Sequence, residues 1–279
     1  MSRRRRAGFT LVELLVALVI FVLVAASLYR VLNVSQRTSR TQTEKAAMQG
    51  SLRTGLQLAL SEIQELWTDE GVGSAITAMS ATSMSYDAMR GIGMTCDAPT
   101  NTSITLRRNS WTGLLAPLQN QGVYLFDEGP SASSENDDVW RFATITNVAN
   151  STCPDGITAA IVLTTTDLVD VANVKFPGPA RTYEPMQLGL VASGGRNWLG
   201  IASGGALTPL AGPLASTGTA LKLEYYDEDG AETATPSEVK SIILRLYGET
   251  DRMANANESG TTTLLSDSMI VRVQLRNGR

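Results

Sequence analysis

The sequence predicts an α+β fold: one long N-terminal helix packed on a C-terminal antiparallel β domain. Three observations carry this expectation. An apolar run fills residues 9–29, a helical stripe of apolar residues continues over 48–66, and beyond residue 70 the pattern shortens to strand-length runs. Composition agrees. Of 279 residues, 43% are hydrophobic and 18% charged, which is a globular balance, and 6% aromatics favour a loop-rich β domain over a tight helical bundle.

The first element is the apolar run, Phe9 to Tyr29, interrupted only by Thr10, Glu13 and Ser27. As a helix it extends about 32 Å, enough for a bilayer core of about 30 Å. Arg3, Arg4, Arg5 and Arg6 precede it and Arg30 closes it. The leading basic cluster predicts a cytoplasmic N-terminus and an extracytoplasmic body. A polar stretch, NVSQRTSRTQ, follows. Helical spacing then resumes at Met48, Leu52, Leu56, Ala59, Ile63 and Leu66, three or four residues apart. One helix from Phe9 to about Trp67 accounts for both parts, its first half membrane-spanning and its second half amphipathic and packed on the β domain. Gly50 and Gly55 each weaken it by about 1 kcal/mol relative to alanine. No proline lies between residues 1 and 97, so no proline bend is signalled. The expected stop is Asp69-Glu70-Gly71-Val72-Gly73.

The expected strands are 103–108, 123–126, 139–147, 158–165, 186–192, 198–202, 220–226, 239–247 and 269–276. The clearest hairpin alternates Leu221, Leu223 and Tyr225 with Lys222, Glu224 and Tyr226, turns near Asp229-Gly230, and returns through Val239, Ile242, Leu244 and Leu246. The last strand sets Ile270, Val271, Val273 and Leu275 against Arg272, Gln274 and Arg276.

Composition also excludes chemistry. The chain has no histidine, so Ser-His-Asp and Cys-His catalysis and imidazole metal sites are ruled out. With two cysteines, four-thiolate zinc and iron–sulfur sites are ruled out too. Net charge is −4, and without the four leading arginines 19 basic residues face 27 acidic ones, giving −8. An acidic body argues against a direct nucleic-acid partner.

The junction of the basic and apolar parts is the most specific feature. An ordinary signal peptide, with Val24-Ala25-Ala26 as cleavage site, and an uncleaved signal anchor both leave Glu13 unexplained. A carboxylate inside an apolar span costs roughly 2.5–3.5 kcal/mol on insertion scales. The four arginines lead into Ala7-Gly8, which fits a twin-arginine signal poorly. The string Arg-Ala-Gly8-Phe9-Thr10-Leu11-Val12-Glu13-Leu14 resembles the processing motif of type IV prepilins and pseudopilins. The resemblance implies cleavage between Gly8 and Phe9 by a prepilin peptidase, which then N-methylates Phe9. Glu13 becomes the fifth residue of the mature chain, matching that family's subunit-docking glutamate. Glycine before the scissile bond admits extended backbone to a tight active site. In hydrocarbon a carboxylate needs a cationic partner, and the amine of Phe9, in the same subunit or a neighbour, supplies one. The segment Tyr-Asp-x-Asp-Gly and the closing strand ending Leu-Arg-Asn also resemble larger minor pilins and the J-type minor pseudopilin, over about a fifth of the chain.

The expected organisation is therefore a leader at residues 1–8, a transmembrane and filament-core helix at 9–29, its amphipathic continuation at 30–68, and an extracytoplasmic β domain at 69–279. In that setting Cys96 and Cys153 are read as a disulfide, the alternative being two free thiols. The acidic stretches Asp127, Glu128, Glu135, Asn136, Asp137 and Asp138, and Asp227, Glu228 and Asp229, lack EF-hand spacing and read as solvated turns rather than calcium sites. Ser193-Gly194-Gly195 and Ser203-Gly204-Gly205 read as turns, not phosphate loops. Trp198 is expected in the core.

The function expected is a non-enzymatic minor subunit of a type IV pilus or type II secretion pseudopilus, in a filament-initiating or tip complex. It has no catalytic residue, cofactor or metal. Its partners are the prepilin peptidase and methyltransferase, other pilin or pseudopilin subunits, and the inner membrane. The precursor is expected as a single-pass inner-membrane protein that later enters the filament. Glu13 separates it from the large tip pseudopilin, which by resemblance lacks this glutamate. The rival class is a membrane-tethered or secreted periplasmic enzyme or ligand-binding protein.

Overall fold

The computed structural model describes residues 10–69, 73–114, 116–130, 139–168, 171–216, 219–255, 262–275 and 277–278. One unbroken helix, α1 (Leu11–Ile63), is 53 residues long, or about 80 Å. From Leu11 to Leu32 its large apolar side chains are exposed, as is Val34. From Met48 onward one face is buried: Met48, Leu52, Gly55, Leu56, Ala59 and Ile63, with Leu66 just beyond. The expected apolar stripe is thus the buried face, with Gly55 added to it. A Cβ on Gly55 would lie 2.3 Å from the Ala211 Cβ, so the missing side chain is what lets helix and sheet touch. A Cβ on Gly50 would meet nothing within 4 Å.

The helix ends earlier than the acidic-glycine stop implied. Trp67–Asp69 is already extended, pairing with Gly73–Ser74 and, in parallel, with Asn277–Gly278. Thr68 is buried there and donates its hydroxyl hydrogen to the Val239 carbonyl at 2.6 Å.

The β domain is built on a thirteen-stranded sheet among the described residues. Its principal strands are β1 (Ser83–Met94), β2 (Ser103–Arg107), β3 (Gly122–Asp127), β4 (Val139–Thr152), β5 (Ala159–Thr165), β6 (Pro179–Ser193), β7 (Arg196–Ser203), β8 (Thr208–Leu214), β9 (Leu221–Tyr226), β10 (Ser241–Glu249) and β11 (Ser266–Gln274). The path runs β9-β10-β8-β7-β6-β3-β4-β5-β2, with β1 on β6 and β11 on β10, all antiparallel. The expected hairpin is β9–β10, paired from Leu221↔Leu246 to Tyr226↔Ser241. Gly230, with φ of 81°, forms a smaller turn within its connection. On β11 Val273 faces the core, as does Leu275 just beyond it, while Ile270 is exposed.

Two cores divide the domain. One lies between α1 and the sheet and includes Leu52, Ile63, Met84, Tyr86, Leu188, Leu199, Leu244 and Leu246. The other lies among β2, β3, β4, β5 and the start of β6, with Ile104, Leu106, Val123, Leu125, Ile145 and Leu163 and no part of α1. Two long strands escaped the sequence pattern. In β1 the inward positions alternate as Met84, Tyr86 and Ala88 against small or polar residues. In β8, Pro209 and Pro213 mask the strand.

Candidate functional site

At the start of α1 the chain closes on itself. Thr10 is extended and caps the helix. Its hydroxyl oxygen accepts from the Glu13 N–H at 3.3 Å, and the Glu13 Oε2 accepts from the Thr10 N–H at 2.9 Å and from its hydroxyl at 3.0 Å. This reciprocal box satisfies helix-end donors that have no intrahelical partner. It also folds the carboxylate back toward the N-terminus, onto the Thr10 N–H. The other oxygen, Oε1, has no hydrogen-bond partner among the described residues. Gly8 and Phe9, the expected cleavage and methylation residues, lie outside the described residues.

Residues 3–29 match the family described as the prokaryotic N-terminal methylation motif. At these residues the chain is similar to type IV pilin-like proteins. No curated protein and no solved structure matches it. The motif implies processing by a prepilin peptidase and assembly with other pilin subunits. The exposed apolar helix that carries it is consistent with membrane anchoring.

The other residues singled out from the sequence fall into structural roles. Cys96 and Cys153 are joined in a disulfide across 57 residues, on a small buried cluster with Ala160. Asp127 is fully buried and pairs with Arg141 at 2.6 Å, and Glu128 pairs with Lys175. Glu135, Asn136, Asp137 and Asp138 lie outside the described residues. Asp227 accepts from the Ala231 N–H, shaping its own turn. Among the described residues no group of three or more Cys, Asp and Glu side chains is placed to hold a metal ion. Gly194 and Gly195, with φ of 59° and 75°, make the tight β6–β7 turn. Trp198 is half-buried rather than enclosed, packed over Gly212 with its indole N–H on the Ser193 carbonyl.

Sequence reasoning missed the charged bridge between helix and sheet. Arg90 is buried on β1, its Nε 2.6 Å from Glu184 on β6 and its NH1 3.3 Å from Glu62 on α1. Burial works to raise the Glu184 carboxyl, but the Ser203 hydroxyl and the Arg90 guanidinium outweigh it and hold it below the usual carboxylate range. Near the other end of the interface the Gln49 amide donates to Asp267 at 2.7 Å. That bond, with the Ser268 N–H and nearby Lys45, lowers the Asp267 carboxyl. A cavity of about 660 Å³ opens there, lined by Tyr247, Glu249 and Asp267 among others. Its carboxylates already accept from Ser216 and Gln49, which makes it a structural seam.

Proposed function

We propose that the chain is a non-enzymatic minor subunit of a type IV pilus or type II secretion pseudopilus, acting in a filament-initiating or tip complex. The observation that carries this reading is the bare apolar half of α1, begun by the Thr10–Glu13 box directly after the Gly8–Phe9 junction. A helix apolar on all sides needs lipid or other apolar helices around it. The membrane serves the precursor, and a bundle of like helices serves the filament.

In this reading the prepilin peptidase cuts after Gly8 and methylates Phe9, with the N-terminus cytoplasmic and the β domain extracytoplasmic. Glu13 then guides docking. With Oε2 held by Thr10, Oε1 remains for the amine of an incoming subunit, and pairing fixes the axial register because an unpaired charge is costly in hydrocarbon. The low-copy placement rests on the β domain, which is larger than the common major subunits that the resemblance implies.

The test is Glu13→Ala in the native host. The variant is expected to be cleaved and methylated as usual and to enter filaments at least tenfold less than wild type, counted by immunogold labelling. Normal incorporation of the variant overturns the docking role.

A further inference from the structure

We infer that the stem of α1 from Arg30 to Arg40 is a docking surface for anionic phospholipid headgroups on the extracytoplasmic side of the membrane. The inference rests on the anchored state in the proposed function and not on filament assembly. About 20 helical residues fill the hydrocarbon core of a bilayer. With Leu11 at one boundary, Arg30 stands at the other, about 29 Å away, and Arg37 and Arg40 follow roughly 10 and 15 Å beyond it. At 3.6 residues per turn the three lie within about 80° of one another around the helix, on one side of it. All three are exposed, and none has an acidic partner among the described residues. Four arginines of the β domain are used differently: Arg90, Arg141, Arg196 and Arg245 each face a carboxylate.

Charge complementarity selects the occupant. Eight of the 23 basic residues and two of the 27 acidic ones precede residue 46, which leaves the rest of the chain 15 against 25, a net −10. That body is repelled by an anionic membrane surface while the stem is attracted to it, so the pair of forces holds the helix upright and the β domain off the bilayer. An acidic β domain of another copy fits the stem less well. Arg30 is interleaved with exposed Val31, Leu32 and Val34, and carboxylates brought there would lose water beside hydrocarbon. Lipid phosphates already sit at that depth, and long arginine side chains extend to meet them.

The test places the full chain in nanodiscs of equimolar phosphatidylcholine and phosphatidylglycerol, and reads the lipids retained in native mass spectrometry. Preference for phosphatidylglycerol is expected to fall roughly fivefold for Arg30→Gln and progressively less for Arg37→Gln and Arg40→Gln, which stand further from the headgroups, and to weaken with added salt. Arg53→Gln, on the same helix about 35 Å from Arg30, is expected to change nothing. An unchanged preference in the triple variant overturns the inference, as does an equal loss in Arg53→Gln. Salt-sensitive cross-linked pairs in phosphatidylcholine alone, abolished by the triple variant, would assign the stem to a second copy and overturn it too. A chain that fails to insert overturns the anchored state itself.

Discussion

The two halves of α1 are one helix in two solvents. Near its start, Leu11 is 82% exposed and Phe21 72%, while further along Leu52 and Ile63 are fully buried. Backbone geometry does not separate them. The difference lies in how many apolar residues each half carries and how they are spaced. All-round apolarity gives the first half no preferred face for a β sheet, whereas a single stripe gives the second half one face to bury and one to leave in water. The lesson is that the β domain takes its stability from the second half alone and leaves the first half free for lipid or other helices.

The largest expected effect breaks the packed half. Leu52→Ala should cost the β domain about 4 kcal/mol in urea unfolding, while Leu15→Ala, in the bare half, should leave the midpoint unchanged. A comparable loss from Leu15→Ala would contradict the division. Next comes the charged bridge. Arg90→Ala strands Glu62 and Glu184 at the interface and should cost about 3 kcal/mol, and Arg90→Met should recover part of it by filling the space. The two glycines sharpen the contrast within α1. Gly55→Ala improves helix propensity yet should destabilise by about 2 kcal/mol, because its Cβ has to push Ala211 away. Gly50→Ala, with open space around it, should stabilise by about 0.5–1 kcal/mol. Thermal melts of the pair with opposite signs would support close approach at Gly55 only.

The smallest effect lies far from α1, in the turn after Cys153. The Thr158 hydroxyl and N–H, and the Ile157 N–H, hold the Asp155 carboxyl down at about 2, below its ordinary 3.8. A carboxylate depressed in the folded state contributes stability above about pH 4, and that contribution disappears as pH falls through about 2. Carboxyl NMR should place the titration near that lower value. In Asp155→Asn the turn amides should exchange independently of pH changes across this window, after correction for intrinsic exchange.

The stripe of Met48, Leu52, Leu56, Ala59, Ile63 and Leu66 was legible because burial on a helix repeats at fixed spacing. The β9–β10 hairpin was legible for the same reason at period two. β1 was not, because Ala88, Arg90, Gly91 and Gly93 follow Met84 and Tyr86 at its buried positions and leave the hydropathy alternation too short to read. β8 was hidden by its prolines, which its irregular pairing with β7 and its single-residue pairing with β10 tolerate. At the helix start, Gly8, Phe9 and Glu13 stood out because a processing motif is contiguous in the chain, and Thr10 completes the box that the structure adds. Arg90 had no such signature, since its partners lie 28 and 94 residues away and only folding brings them together. The Cys96–Cys153 pair needed only an extracytoplasmic setting to be read.

The central claim is the proposal that the mature protein begins at Phe9 and so keeps the bare half of α1. The most direct measurement is the mass of the N-terminal peptide from protein recovered from its native membrane. The account predicts a peptide that begins at Phe9 and carries one added methyl group. A peptide beginning near Ser27, after Val24-Ala25-Ala26, would mean that the apolar half is discarded as a signal sequence, and would contradict it.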